Sequence, residues 1–215
     1  MSSALWLLLV AAGPGGWHPH SKVDGVATWV LESAKSRVPR VRGEIEIEAD
    51  LFEILAVLHD VSQTCEWTPN CREAHLIRDL SAFTSLIYLR TASPWPVADR
   101  DLVIRADLSI RPDGGAARAE FNAVELPEVP PVEGVIRIRV SQGAYDLTRL
   151  GPTRTRVRYE VYSDPGGSVP AALARGPLVR MPRDTLLALA KRTLAMRGRY
   201  ESVRDQYDPA RQPKR

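Results

Sequence analysis

The sequence predicts an α+β domain in which a long, curved antiparallel β-sheet wraps around a C-terminal α-helix, with shorter helices after the early strands. Residues 101–111 alternate between apolar and polar side chains, and a period of two residues indicates a strand with one buried face. Several other segments alternate in the same way and are separated by short turns, which is typical of antiparallel sheets. After residue 182 the apolar positions return at helical spacing, which predicts an amphipathic helix.

The composition is that of one globular domain with a sizeable core. The chain has 215 residues, of which 44% are hydrophobic, and its formal net charge is +3. The positive charges, nearly all of them Arg, are spread along the chain, whereas nucleic-acid-binding proteins usually cluster them on one face. We therefore expect no nucleic-acid partner, and we take the chain to be a monomer.

The N-terminus contains a short apolar run over residues 4–12. The run is too short to span a bilayer, but its length and the small residues at its end are typical of a secretory signal. We therefore divide the chain into a leader (1–21), a ligand-binding domain (22–205) and a disordered tail (206–215). We expect export to the periplasm or the medium, with a cytoplasmic location as the alternative.

The two cysteines, Cys65 and Cys71, lie six residues apart. In an exported protein they predict a disulfide, and two free thiols are the alternative. A third interpretation joins them to His59 and His75 as metal ligands, but the close Cys-x-x-Cys pair of such zinc sites is missing. We expect no metal and no cofactor.

The early elements follow from local signals. Residues 23–31 are predicted as the first strand and residues 41–49 as the second. The second strand alternates apolar residues with polar ones, and its glutamates form a row on the solvent-exposed face. Asp50 and Glu53 then have the spacing of a capping box and predict the start of a helix. Two strands follow over residues 71–91.

A stiff corner, Pro94-Trp95-Pro96, precedes the long strand over 101–111. We expect Trp95 to fill a pocket. Asp99 and Asp101 flank Arg100, and a turn held by Arg–carboxylate hydrogen bonds explains this arrangement more simply than a catalytic pair of carboxylates.

The remaining strands are predicted over residues 117–123, 136–140 and 154–161, and the final helix over 182–200. Ile136, Ile138 and Val140 are expected to face inward. The arginines of the last two strands are expected to lie on the outer face, where they suggest contact with an anionic membrane surface; they are Arg137, Arg139, Arg154, Arg156 and Arg158.

No catalytic motif stands out. The sequence has no Gly-x-Ser-x-Gly nucleophile turn, no phosphate-binding loop and no dinucleotide fingerprint. The inward positions mix very small and bulky apolar residues, which favours a hollow over a dense core. Such a hollow can hold an aliphatic ligand without polar contacts, because each buried methylene contributes about 0.8 kcal/mol.

Three segments, residues 94–101, 157–161 and 164–170, resemble the START (StAR-related lipid-transfer) family of the helix-grip superfamily, in a bacterial-type single-domain form. The resemblance covers roughly residues 23–197. It implies a sheet that grips the C-terminal helix, with a lipid or sterol-like ligand held between them.

One departure from that family concerns the polarity of the pocket. Well-known animal members carry an inward Arg six residues after the Arg of this corner, which is Arg100 here. In this sequence the sixth position is Ala106, and Arg105 is predicted on the solvent-exposed face. The pocket is therefore predicted to be more apolar at this point. Gln142 or Tyr159 is expected to supply a polar contact instead.

The function predicted from these observations is binding and transport, or sensing, of a lipid or other hydrophobic small molecule without catalysis. The alternative is a helix-grip enzyme, an aromatase/cyclase or hydrolase acting on a polyketide-like substrate, with Tyr159, Gln142 or His75 as its polar groups. The side chains predicted to bind the ligand are Ile87, Leu89, Ile104, Ala106, Leu108, Phe121, Ile138, Val140, Tyr159, Val161, Leu186, Leu189, Ala190 and Leu194.

Overall fold

The computed structural model of the chain describes residues 16–167, 169–200 and 207–208. Its strands form one sheet of ten, in the order β1-β2-β3-β10-β9-β7-β6-β5-β4, with β8 paired to β6. The strands are β1 (His18–Val23), β2 (Val26–Leu31), β3 (Arg40–Ile47), β4 (Cys71–Ser81), β5 (Thr84–Thr91), β6 (Arg100–Ile110), β7 (Ala116–Val124), β8 (Ile136–Arg137), β9 (Val140–Gly151) and β10 (Arg154–Asp164). The helices are α1 (Leu51–His59), a 3₁₀ segment (Val61–Glu66) and α2 (Ala171–Ala195). The predicted architecture, a curved antiparallel sheet with a long C-terminal helix, is confirmed.

The N-terminal boundary of the domain lies earlier than predicted. His18–Val23 forms β1, which pairs with β2 across a turn at Asp24 and Gly25, both with positive φ. The residues of β1 do not alternate in hydropathy because nearly all of them are exposed at the sheet edge, so periodicity gave no signal for this strand. The apolar run over 4–12, with its predicted cleavage site, lies outside the described residues.

The predicted start of α1 is confirmed. The Asp50 side chain accepts a hydrogen bond from the Phe52 N–H (3.0 Å), and the Glu53 side chain accepts one from the Asp50 N–H (3.0 Å). This capping box satisfies N–H groups that the first helical turn leaves without partners. α1 is thereby placed across the end of the concave face, where Phe52 and Ile54 are buried in the core.

The segment around residue 140 differs from the prediction of one strand over 136–140. Ile136 and Arg137 form the short β8, parallel to β6, and a separate long strand, β9, begins at Val140. The sequence of β9 was not predicted as a strand, because the run from Ser141 to Asp146 does not alternate in hydropathy. Val140 pairs with Asp164, is 52% exposed and shares the outer face with Gln142, so its predicted inward orientation is wrong.

The C-terminal helix is longer at its start than predicted and shorter at its end. α2 begins at Ala171 and ends at Ala195, so Pro177 and Pro182 lie inside it. Proline lacks an N–H and is favoured in the first turn of a helix, and for this reason Pro182 predicts a helix start in the sequence. A helix interior can nevertheless contain proline where tertiary packing compensates, and Pro182 is packed directly over β3 at Gly43.

The chain returns to the fold after α2. Tyr207 is 4% exposed, its hydroxyl donates to the Ala82 carbonyl (3.0 Å), and the same hydroxyl lies 2.9 Å from His59 Nε2. The prediction of a disordered tail is therefore wrong for Tyr207 and Asp208, whose burial depends on long-range contacts that local composition does not report. Residues 209–215 lie outside the described residues. Across the described ranges, no helix is long and apolar enough to cross a membrane.

Candidate functional site: the concave face of the sheet

One half of the concave face is covered by α2. The helix makes its extensive contacts with β2, β3, β10 and α1. Leu186 and Leu189 are fully buried there, as is Val157 on β10 beneath them. Gly43 allows the close approach, since a Cβ at this position would lie 2.8 Å from Leu186 Cδ1 and 2.9 Å from Pro182 Cβ.

The other half of the concave face, over β5 and β6, is not packed under α2 in this way. The strand register places Ile87 beside Ile104 and Ala106 beside Phe121, all on the same face as the β10 residues under α2. Phe121 lies at the margin of the contiguous core, whereas Ile87, Leu89, Ile104 and Ala106 do not belong to it. We call these four residues the open half of the concave face. Among the described elements, α2 makes no extensive contact with β5 or β6.

The predicted ligand-binding residues divide between these halves. The open half contains four of them, and Leu108 and Phe121 lie where it meets the core. Under α2 the structure places Tyr159, Val161, Leu186, Leu189 and Ala190. Ile138 is half-buried beside the start of β6, with its N–H donating to the Asp101 carbonyl (2.8 Å). Val140 lies on the outer face, and Leu194 is 46% exposed, so neither joins the other residues.

Two stacked tyrosines mark the centre of the concave face. The rings of Tyr145 and Tyr159 lie 4.4 Å apart and nearly parallel (11°), and Phe121 is tilted against both. Burial raises the pKa of the Tyr145 hydroxyl well above its usual value, and burial also raises the pKa of Tyr159. Both hydroxyls therefore stay neutral over the physiological pH range.

Gly143 allows this aromatic cluster to form. A Cβ at Gly143 would lie 2.6 Å from Phe121 Cζ and 2.4 Å from the Glu160 carbonyl oxygen. The Phe121 ring therefore occupies the space that any larger residue would take.

Of the polar groups predicted for the pocket, Tyr159 alone faces inward. Gln142 lines a depression on the outer face together with Arg118, so its predicted contact with the ligand is wrong. His75 pairs with Tyr88 on the outer side of β5, and the two rings stack 4.9 Å apart. The predicted polar positions therefore do not converge on one point of the concave face.

The inward positions of the central strands carry charged side chains only at the two ends of the concave face. This holds for β5, β6, β7, β9 and β10. Arg149 lies near α1, with its Nη2 3.1 Å from Asp50 Oδ2. Arg100, which is 6% exposed, donates to the Ala98 carbonyl, to Ser93 Oγ (3.3 Å) and to the Pro165 carbonyl (3.4 Å). The floor between them is uncharged.

The corner before β6 is held by arginine–carboxylate pairs, as predicted, although the pairs involve other strands. Asp99 accepts hydrogen bonds from Arg90 and from the Ser93 N–H, and Asp101 is fully buried against Arg137 (2.8 and 3.0 Å). The Tyr88 hydroxyl donates to Asp101, and burial together with this carboxylate raises the pKa of Tyr88 to about 12. These groups hold the backbone, and Tyr88 and Asp101 lie on the outer side of the sheet.

Arg137 also binds the loop over residues 126–132, which contains three prolines, on the outer side of β6. It donates to the carbonyls of Val129 (3.1 Å) and Pro130 (3.2 Å). Val103 and Tyr88 are buried on this outer side. The alternation over residues 101–111 predicts a solvated face here, and this prediction is wrong at Val103, which is the apolar residue among Asp101, Arg105 and Asp107 on that face.

The outer arginines are neutralised by partners. Arg156 lies 3.1 Å from Glu46, and Arg158 lies 3.1 Å from Glu44. Arg137, Arg139 and Arg154 have carboxylates at 2.8, 3.1 and 3.9 Å. Paired charges attract an anionic surface much less than free ones, so these residues do not support the predicted membrane contact.

Trp95 does not fill a pocket, contrary to the prediction. Its side chain is 92% exposed at the tip of the β5–β6 corner, between exposed Pro94 and Pro96. The two prolines direct the chain outward here, and none of the described elements covers the indole.

The cysteines and histidines do not form a metal centre. Cys65 and Cys71 are joined in a disulfide that ties the 3₁₀ segment to the start of β4. His59 interacts with Tyr207, and His75 Nδ1 lies 3.2 Å from Glu73. Within the described part of the chain, no group of three or more His, Cys, Asp or Glu is placed to hold a metal ion.

Comparison with known proteins identifies relatives of this architecture. An uncharacterized protein of Pseudomonas aeruginosa is 32% identical over 173 residues, which cover 80% of this chain and 84% of that protein. Human START domain-containing protein 10 is 26% identical over 159 residues, and the chain spans about half (53%) of its length.

Solved structures show the same similarity. A STAR-related lipid transfer protein from Xanthomonas axonopodis superimposes with a TM-score of 0.76 and 28% identity, over 83% of this chain and 99% of that fragment. An aromatase/cyclase from Streptomyces reaches 0.54 with 15% identity, over 75% of this chain and 97% of that one, and shares the fold alone. Residues 14–194 match the model of the START domain. Because this match spans most of its length, the chain belongs to the START-domain family.

Proposed function

We propose that the chain binds a lipid-sized hydrophobic ligand in the groove between α2 and the open half of the concave face, and carries it without chemical change. The observation that supports this proposal best is the open half itself. Ile87, Leu89 and Ala106 are apolar, inward-facing and outside the contiguous core. An apolar surface of this kind, next to a helix and uncharged along its floor, favours an aliphatic guest. The lipid transfer named for the Xanthomonas relative agrees with this proposal.

The test introduces one carboxylate into the groove and one outside it. Ala106 is half-buried on the inner face of β6, and Ser109 is exposed on its outer face. Native mass spectrometry of the purified protein is expected to detect a bound lipid, or uptake of the fluorescent hydrocarbon diphenylhexatriene. Ala106→Asp should abolish this binding because it buries an unpaired charge, whereas Ser109→Asp should leave it intact. Equal losses in both variants, or no uptake by the wild type, would refute the proposal.

We also propose that the corner between β5 and β6 contacts membranes during exchange of the ligand. Trp95 supports this proposal, because an indole that is 92% exposed between two exposed prolines is suited to the interface of a bilayer. The corner leads directly into β6 and therefore lies at one end of the groove. Burial of the indole in the headgroup region would bring that end of the groove to the lipid surface.

Vesicle flotation tests this contact. The wild-type protein should float with vesicles of phosphatidylcholine, with and without phosphatidylglycerol. The fraction of Trp95→Ser that floats with the vesicles should be much smaller. Leu194→Ser, which changes an exposed apolar residue far from the corner, serves as the matched control. Binding that is retained in Trp95→Ser would show that the indole is not required. Binding that is lost in 0.5 M salt would indicate an electrostatic contact instead, and either result would contradict the proposal.

A further inference from the structure

Arg100 is a buried cation that forms no ion pair with a carboxylate of the described residues. Its side chain lies on the concave face at the start of β6 and is 6% exposed. Its hydrogen-bond acceptors are all neutral: the Ala98 carbonyl, Ser93 Oγ (3.3 Å) and the Pro165 carbonyl (3.4 Å). A charge that loses its hydration normally gains a counter-charge, because neutral acceptors recover only part of the lost free energy. Burial accordingly lowers the pKa of Arg100, although an arginine stays protonated at physiological pH.

The two carboxylates that flank Arg100 in the sequence interact with other arginines. Asp99 accepts hydrogen bonds from Arg90 and lies 3.0 Å from Arg72, and Asp101 lies on the outer face against Arg137. Asp99 attracts the Arg100 charge from a distance, but the two side chains form no ion pair. The negative charges of the corner are therefore used on the outer side of the sheet.

Arg149 provides the contrast at the opposite end of the concave face. Its Nη2 lies 3.1 Å from Asp50 Oδ2, so a carboxylate compensates its charge. Among the described inward residues of these strands, one cation is thus compensated and the other is not.

One nitrogen of the Arg100 guanidinium has no hydrogen-bond partner among the described residues. The bonds of Arg100 use Nε and Nη1 and leave Nη2 with both of its hydrogens. Nη2 is also not occluded. The described side-chain atoms that are fully buried without a partner belong to Trp67, Arg149, Arg183, Arg192 and Thr193. A ligand oxygen can therefore approach Nη2 without breaking an existing hydrogen bond.

The register places Arg100 at one end of the open half. The inward side of β6 continues from Arg100 with Leu102, Ile104 and Ala106, and Leu102 pairs with Leu89 of β5. Six residues of strand span about 20 Å, which is comparable to the length of an extended fatty-acid chain. The inward row is therefore apolar over the length of such a chain and ends in a cation.

We propose that Arg100 is a ligand-binding residue that receives the anionic head group, a carboxylate or a phosphate, of an amphiphile whose hydrocarbon chain lies along the open half. The ligand supplies the counter-charge, and hydrogen bonds between ionised groups are stronger than those between neutral ones. This inference rests on the proposed function, since it concerns the same groove and specifies which end of it receives the polar end of the ligand.

Two probes with the same hydrocarbon chain isolate the effect of charge. Parinaric acid is ionised at pH 8, its methyl ester is neutral, and both fluoresce when bound. The wild-type protein is expected to bind the acid at least about fivefold more tightly than the ester, because only the acid compensates the charge of Arg100. Diphenylhexatriene, which has no polar atom, measures binding to the groove itself.

Substitution of the cation isolates the ion pair. Arg100→Gln should weaken binding of the acid by roughly tenfold and leave the ester and diphenylhexatriene unchanged. Arg100→Lys keeps the charge and should retain most of the preference for the acid, which a purely structural role of Arg100 would not explain. Arg149→Gln is the matched control, because it removes an inward charge that Asp50 already compensates, and the preference should not change. Circular dichroism establishes that the variants are folded.

Competition distinguishes a lipid head group from a free anion. Inorganic phosphate at millimolar concentration and constant ionic strength has no hydrocarbon chain and should not displace the bound acid. Displacement would indicate a site for small anions and would overturn the assignment to a head group.

The outcomes separate this inference from the proposed function. If none of the three probes binds, the groove does not hold lipid and the proposed function fails. If diphenylhexatriene binds while the acid binds no more tightly than the ester, the inference is overturned and the proposed function stands. An acid affinity that is unchanged in Arg100→Gln, or that falls equally in Arg149→Gln, also overturns it. If Arg100→Gln does not fold, the comparison of acid with ester on the wild type and on Arg100→Lys still decides.

Discussion

Gly43 shows how a single residue determines the fit between the sheet and the final helix. The position has ordinary strand geometry, so glycine is not required by its backbone angles. It is required by space, because Pro182 and Leu186 of α2 occupy the volume that a side chain would need. In the sequence, the same glycine appears as one more inward position of an alternating strand.

Gly43→Ala is therefore expected to destabilise the protein by about 1–3 kcal/mol, since the rigid Pro182 ring cannot move aside as a flexible side chain would. Urea unfolding followed by circular dichroism measures the change. Gly151→Ala is the control, because a Cβ there meets no atom within 4 Å and should cause little loss. Equal stability of the two variants would mean that α2 shifts to accept the methyl group.

Single residues also show where alternation is insufficient as evidence. The alternation over residues 101–111 assigns Val103 to the polar face of the strand, whereas its side chain is fully buried. The pattern correctly identified two faces of the strand. It gave no indication that the second face is also buried at Val103.

At the scale of elements, the β5–β6 corner is stabilised by its charges. Hydrogen bonds from Arg90 hold the pKa of the Asp99 carboxyl below its usual value, with additional lowering from the Ser93 N–H and from the nearby Arg72. A carboxyl whose pKa is lowered by folding stabilises the native state above its unfolded pKa of about 3.9. That contribution is lost as the pH falls through the lowered native pKa.

Asp99→Asn should therefore be less stable than the wild type at pH 7, and the difference should shrink as the pH falls below about 4. Urea unfolding of both proteins between pH 7 and pH 3 measures the difference. Asp184→Asn, at an exposed position on α2, serves as the comparison and should show a small difference at every pH. A constant difference for Asp99→Asn over the whole range would show that its effect is steric rather than electrostatic.

The elements also differ in how well local signals predicted them. Signals between neighbouring residues predicted α1, through its capping box, and three strands, through alternating hydropathy: β3, β6 and β10. The structure has these elements close to their predicted positions. β1, β9 and the first half of α2 depend on partners distant in sequence. β9, for example, is held on both sides by strands that force an extended backbone on residues without alternating hydropathy.

At the scale of the whole molecule, the two halves of the concave face differ in packing. Under α2 the apolar residues of β3 and β10 form a continuous core with α1 and α2, whereas the four residues of the open half stand outside it. Local opening requires less free energy where fewer buried apolar contacts must be broken. The empty protein should therefore be less stable on the β4–β6 side.

Hydrogen exchange measured by mass spectrometry tests this difference. Without ligand, amides of β5 and β6 are expected to exchange faster than those of β3 and β10. Adding diphenylhexatriene should slow exchange in β5 and β6, because a ligand that binds only the native state stabilises the region that it covers. Protection confined to β3 and β10 would place the bound ligand elsewhere.

The sequence by itself determined the fold class, the inward face of most strands and the capped start of α1, because these features depend on local periodicity and on side-chain-to-backbone hydrogen bonds. The tertiary structure alone decided the exposure of Trp95, the burial of Tyr207 and the position of Tyr159 under α2. Each of these depends on which distant element covers the residue, and α2 covers only one half of the sheet. Periodicity shows that a side chain faces inward, but the space in front of it is determined by the packing of the whole chain.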